Sequence, residues 1–318
     1  MFSFLKRFFR KEFSEVPTPP RWRPSTTSRH SSSDDGYIAD KWEHIMGQNH
    51  WETLLDPLDK DLRRTIIHYG EMAQATYDTF IREKYSKYAG ASRFNKNNFF
   101  AKLGLELGHP YKYRVTKVYL CNFRVEVPHA FIFKPLASIE QWSKDSNFMG
   151  FVAVAEDECV DLLGRREIVV SWRGSVDIGL EYSRHEGDDG EPEVHQGWHT
   201  IYTNYNEWSP FEKTSARHQV LTELAKLVEE YKDEEISITV TGHSLGAALA
   251  TLNAVDIVAN KINQPKNSPN AKPCMVTAIV FASPRVGDSN FEKIVLKYEN
   301  NLKILRVEMC KILSQTTP

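Results

Sequence analysis

Between Ile236 and Val255 the sequence reads ISITVTGHSLGAALATLNAV. At its centre the pentapeptide GHSLG places Ser244 between Gly242 and Gly246, a Gly-x-Ser-x-Gly pattern. Alone, that pentapeptide recurs by chance. Its flanks give it meaning, because a β-branched run leads in and a small-residue, apolar helical run leads out. A strand–turn–helix of this kind holds a serine on a strained turn with its oxygen projecting, as a nucleophile requires. Such a turn tolerates only small neighbours, which Gly242 and Gly246 supply, while Ala247 and Ala248 let the helix pack close to the sheet. The helix N-terminus points partial positive charge at an oxygen that becomes negative during attack. The bland alternative is that Ser244 simply caps the helix, a role that needs no glycine on either side.

A nucleophile of this type needs donors for the oxyanion. The N–H of Leu245, the residue after the serine, is one expected donor. A second is expected from an earlier strand–loop junction, and IVVSWRGS (Ile168 to Ser175) supplies that pattern, with Ser175 as the candidate. An ordinary turn is the alternative there.

The surrounding elements follow from periodicity. Trp42 to Gln74 has helical spacing, with Leu58, Leu62, Ile66, Tyr69, Ala73 and Tyr77 on one face. Strand-like segments follow at Tyr113–Cys121, Ala130–Phe133, Phe148–Ala155 and Glu167–Trp172. Beyond them the pattern alternates: helix Gln219–Tyr231, strand Ile236–Val240, helix Ala247–Ile262, strand Met275–Ser283, a helix through SNFEKIVLKYE, and strand Leu302–Val307. Alternation of this length implies an α/β fold with a mostly parallel central sheet covered on both faces. Residues 263–273, with three prolines, read as a surface loop.

Bulk properties narrow the function classes. The 318 residues carry a net charge of −2, and no basic stripe marks the body, so nucleic acid is not an expected partner. No apolar run is long enough to span a bilayer. Cys121, Cys159, Cys274 and Cys310 lie far apart and without metal-ligand spacing, so free thiols in a reducing compartment and no metal are expected, with one or two disulfides as the alternative. The start, MFSFLKRFFRK, is basic and Phe-rich, and a Pro/Ser/Thr-rich stretch follows. Residues 1–36 are therefore expected as a disordered tail, either bland or an organelle-targeting or membrane-surface segment, ahead of a globular domain at 37–318. No internal repeat is present.

VVSWRGS, VHQGWHTIYT, TGHSLGAALATLNAVDIVAN and FASPRVGD, in this order, closely resemble plant class 3 lipases of the phospholipase A1-II group. The resemblance begins near Trp42, passes through QNHW, PLDKDLR and HYGEMAQATYDTF, and reaches about Val307. It implies an α/β-hydrolase fold and hydrolysis of the sn-1 ester of glycerophospholipids without metal or other cofactor. By motif position it implies Ser244 as the acyl-accepting nucleophile, supports Ser175 at the oxyanion hole, and sets a cytoplasmic default location, with chloroplast or mitochondrion as the alternative raised by the tail.

Two departures from the family pattern qualify this. The segment DIGLEYSRHEGDDGEPEV stands where the family carries a lid, yet it holds seven acids and few apolar residues, so a reduced or absent lid is expected. The family's aspartate and histidine partners follow the FASPRVGD strand, but here LKILRV gives way to EMCKILSQTTP and no histidine follows Ser244. Of the nearer groups, Asp256 lies along the packed helix, and Asp288 is expected to cap the helix starting at Ser289. His243 adjoins the serine but points elsewhere. His195 and His199 flank the site in the family arrangement, with His195 the one able in principle to reach it. No triad aspartate or histidine is therefore identified. The expectation is a C-terminally truncated form with little or no activity, and the alternative is a non-catalytic lipid-binding or regulatory relative. Acyl transfer to an alcohol would use the same serine chemistry.

Overall fold

Strands β3 (Arg166–Trp172), β4 (Ile236–His243) and β5 (Met275–Phe281) are buried almost throughout, as sheet covered on both faces demands. The computed structural model describes residues 38–83, 85–106, 109–122, 146–174, 192–209, 212–267 and 271–308. All lie in the second of the two units into which the chain divides, Gly36–Pro318. Within these residues β1 (Tyr113–Asn122), β2 (Ser146–Ala155), β3, β4, β5 and β6 (Leu302–Val307) form one sheet in sequential order. β1 and β2, and β2 and β3, pair antiparallel, whereas β3 through β6 pair parallel. The expected α/β fold with a mostly parallel sheet is therefore present.

The topology sends β1, β3, β4, β5 and β6 in one direction, so Asn122, Trp172, His243, Phe281 and Val307 gather at one end of the sheet. Helices α1 (Trp42–Ile45), α2 (Lys60–Thr79) and α3 (Phe99–Leu103) pack on one face with Phe148, Phe151 and Val169. α4 (Asp157–Leu163) links β2 to β3 at the far end. α5 (Gln196–Thr203), α6 (Ala216–Glu230) and α7 (Leu245–Ala259) cover the other face, over Val152, Val170 and Val240. α8 (Ser289–Lys297) packs only part-buried at the margin of that layer.

The helical spacing expected from Trp42 to Gln74 is interrupted. α1 ends at Ile45, and α2 starts only after Asp59, whose carboxylate accepts the N–H groups of Asp61 and Leu62 at 2.8 and 3.0 Å. A capped start fixes where the helix begins, so Leu58 falls outside it and is exposed, not on the buried face. Leu62, Tyr69, Ala73 and Tyr77 do share that face. The expected strand Ala130–Phe133, the tail 1–36, the centre of the lid segment, Ser175 and Cys310 lie outside the described residues.

Beneath α2 the buried Glu167 accepts hydrogen bonds from Tyr69, Tyr113, Thr239 and Arg165. Burial pulls its pKa up, but the Arg165 charge and the tyrosine hydroxyls more than reverse this, holding it below the usual carboxylate range. This cluster fixes α2 on the sheet and thereby sets where the helix's C-terminal end meets β4.

Candidate active site at the turn after β4

β4 ends at His243 and α7 begins at Leu245, leaving Ser244 alone in the turn with φ 56° and ψ −121°. A positive φ in a residue other than glycine is sterically costly and persists only where surrounding contacts impose it. Here the Ser244 N–H donates to the Phe281 carbonyl at 2.9 Å, and its carbonyl accepts from Ala247 and Ala248 at 2.9 and 3.3 Å. Ser244 thus occupies the N-cap position, yet its side chain makes no capping hydrogen bond. A serine serving only as a cap would bond the first-turn N–H groups through that hydroxyl.

The flanking glycines are required by contact. A Cβ on Gly242 would stand 2.3 Å from the Gly246 carbonyl oxygen, and one on Gly246 would stand 2.3 Å from the Trp172 carbonyl oxygen. α7 therefore lies against β3 closely enough that no side chain fits between them. As the first residue of α7, Leu245 has no carbonyl one turn earlier in the helix to receive its N–H.

The junction after β3 meets the same turn. A Cβ on Gly174 would lie 2.1 Å from the Tyr77 hydroxyl and 2.3 Å from the His243 carbonyl oxygen. The Tyr77 hydroxyl is 3.0 Å from His243 Nδ1 and donates to the His243 carbonyl at 3.2 Å. Burial raises the Tyr77 pKa and lowers that of His243, so both stay neutral. Arg173 is 2% exposed, and its guanidinium donates to the carbonyls of Phe148 (2.8 Å) and Gly174 (2.9 Å) and stacks on the Phe80 ring. It pins the strand end that leads into Ser175. Sequence reasoning missed the roles of Tyr77 and Arg173, although an arginine closing the apolar run IVVSW was a visible signal.

A family profile for class 3 lipases matches residues 165–311, the segment that holds β3, the serine turn and β6. Phospholipase A1-IIgamma of Arabidopsis thaliana is 54% identical over 282 residues, spanning 85% of this chain and 66% of the relative. Phospholipase A1-II 7 of Oryza sativa subsp. indica is 47% identical over 292 residues, spanning 86% of this chain and 71% of the relative. The chain belongs to the class 3 lipases. Its curated relatives place it in the phospholipase A1-II group, and it spans about two thirds of their length. Among solved structures, native Rhizomucor miehei lipase in its propeptide complex aligns with 78% of this chain and 61% of its own, at 16% identity and a TM-score of 0.43.

In this class 3 lipase His195, Asp256 and Asp288 are held by partners other than the serine. His195 is the N-cap of α5: its Nδ1 accepts the Gly197 N–H at 3.1 Å and its ring stacks on Trp198 at 4.4 Å. Its backbone N–H donates to Val286, beside the bridge between Val194 and Gly287, so the segment entering α5 runs along the loop after β5. His199 is exposed on α5. Asp256 pairs with Arg217 at 2.6 Å and accepts the Tyr202 hydroxyl at 2.8 Å. Asp288 caps α8, accepting the N–H of Phe291 at 2.8 Å and that of Glu193 at 3.1 Å. No group of three or more histidine, cysteine or acidic residues disposed to hold a metal ion occurs among the described residues. Cys121, Cys159 and Cys274 are free thiols.

Proposed function

We propose that this chain is built for phospholipase A1 chemistry, with Ser244 as the acyl acceptor. In that reaction the Ser244 oxygen attacks the sn-1 ester carbon of a glycerophospholipid and its proton passes to a base. The oxyanion so formed collapses, the lysophospholipid takes that proton from the base and leaves as an alcohol, and water then releases the fatty acid from the acyl-serine. The Leu245 N–H and Ser175 are the proposed oxyanion donors. The observation that carries the reading is the uncommitted Ser244 hydroxyl on a turn of positive φ, held between two glycines that admit no side chain. A cytoplasmic location is proposed with it, supported by the free thiols Cys121, Cys159 and Cys274.

A second reading is a non-catalytic lipid-binding relative, favoured by one observation: among the described residues His195 Nδ1 caps α5, Asp256 is held by Arg217, and Asp288 caps α8. Loss of a triad member typically leaves only ~10³–10⁴-fold rate enhancement, from the oxyanion hole and binding. One experiment separates the readings. Phosphatidylcholine with different sn-1 and sn-2 chains is incubated with this chain and with this chain extended by the remaining third of the Arabidopsis relative. Release of the sn-1 acid by the extended form, lost in Ser244→Ala, supports the hydrolase. A folded extended form that releases no acid supports the second reading.

A further inference from the structure

The large apolar side chains exposed among the described residues divide by chemistry and by place. The aromatic ones are Tyr85 (81% exposed), Tyr88, Tyr205 and Trp208 (77%), and the aliphatic ones are four leucines. Tyr85 and Tyr88 stand on the turns after α2, the helix whose Tyr77 touches His243. The Gly90 carbonyl in the same segment accepts the Phe148 N–H, beside the Asn122 end of the sheet. Tyr205 and Trp208 stand on the turn after α5, where the Asn204 side chain donates to the Asn122 carbonyl at 2.9 Å. Both turns therefore sit at the end of the sheet that carries Ser244. The leucines lie toward the other end: Leu55 and Leu58 precede α2, Leu162 is in α4, and Leu296 is in the last turn of α8, just before β6.

Scattered exposed apolar residues need no explanation, but four aromatics confined to one end do. Their turns are framed from within. Asn206 and Ser209 are buried, Trp208 N–H donates to Asn206 Oδ1, and Ser209 N–H donates to the Asn206 carbonyl. In the other turn the N–H groups of Ser86, Ala89 and Ala91 all have carbonyl partners. Backbone satisfied in this way enters a low-dielectric boundary without leaving bare polar groups. Tyrosine and tryptophan favour the headgroup level of a bilayer, where one side of the ring is apolar and the other wet. The first turn also carries Arg82, Lys87 and Arg93 against Glu83, so its charge suits phosphate headgroups.

We propose that Tyr85, Tyr88, Tyr205 and Trp208 form the surface by which this lipase seats on an anionic phospholipid bilayer, turning the Ser244 end of the sheet toward the membrane. The proposal rests on the Ser244 reading for its purpose, but its test requires no turnover. The full chain, the Tyr85→Ala/Trp208→Ala variant and the Leu55→Ala/Leu296→Ala variant are sedimented with vesicles of phosphatidylcholine and phosphatidylglycerol. Loss of two interfacial rings is expected to weaken partitioning about tenfold, with the leucine variant matching the parent. A second measurement uses Trp208→Phe, which keeps an aromatic ring: bromine-labelled lipid should quench the parent's tryptophan fluorescence more than the variant's. Equal partitioning of the parent and the aromatic variant would overturn the proposal, whether because the N-terminal tail carries the binding or because the parent does not bind. So would an equal loss in the leucine variant, or identical quenching with and without Trp208. Hydrolysis of a soluble ester reports separately on Ser244.

Discussion

The Tyr77 hydroxyl lies 3.0 Å from His243 Nδ1 and 3.2 Å from the His243 carbonyl oxygen, tying the end of α2 to the residue just before the nucleophile candidate. The serine turn is thus held from outside its own strand and helix. Replacing Tyr77 with Phe leaves the His243 carbonyl without that donor. The expected cost is about 1–3 kcal/mol, read as a lower urea midpoint with an unchanged slope. An unchanged midpoint would mean that the contact does not hold the turn.

The strain at Ser244 has its own signature. Ser244→Gly relieves a φ of 56° and is expected to stabilise the fold by roughly 1 kcal/mol. Ser244→Ala keeps the strain and removes a hydroxyl that caps no helix N–H, so its stability should stay within about 0.5 kcal/mol of the parent. Thermal unfolding of the three proteins checks the order. A large loss in Ser244→Ala would mean that the hydroxyl is structural.

Gly246→Ala places a methyl 2.3 Å from the Trp172 carbonyl oxygen and 2.9 Å from the Arg173 carbonyl carbon, both backbone atoms that cannot swing aside. A loss of about 3 kcal/mol is expected. Gly104→Ala serves as comparator: it meets no atom within 4 Å and feels only its φ of 72°, so it should lose about 1 kcal/mol. Equal losses in denaturant unfolding would contradict the close packing of α7 on β3.

The legibility of the sequence follows the reach of each interaction. The serine turn was readable because its determinants are contiguous: a β-branched run, a glycine on each side, and an apolar helix with small residues at its start. The parallel strands were readable because burial on both faces makes them nearly continuous apolar runs. Arg173 and Tyr77 were not, since their roles rest on contacts with Phe148, Gly174 and His243 that only the folded chain brings together. The break between α1 and α2 was missed because apolar spacing carried across the Asp59 cap. His195 was readable only as a polar group near the site; its use of Nδ1 to cap α5 depends on the exact start of a short helix.

His68 provides a test by pH. It is buried among Tyr69, His109, Tyr111 and Tyr113, and neither ring nitrogen has a hydrogen-bond partner. Burial lowers its pKa to about 4; Glu167 and Glu71 oppose the shift, while His109 and Arg165 add to it. In the unfolded chain the pKa is ~6.5. Between these values the unfolded state binds a proton that the folded state refuses, so stability is full above ~6.5 and falls as pH drops toward 4. His68→Phe should shrink that slope. It should not abolish it, because His243 is also held low by burial. Denaturation midpoints measured from pH 7 to pH 4.5 decide this, and an unaltered slope would contradict the assignment.

The most direct test of the central claim is sn-1 acid release from phosphatidylcholine by the form extended with the remaining third of the Arabidopsis relative, compared with its Ser244→Ala variant after both are shown to fold. The parent is expected to release the sn-1 fatty acid, and the variant none above background. Release that persists in Ser244→Ala, or none from the folded parent, would contradict it.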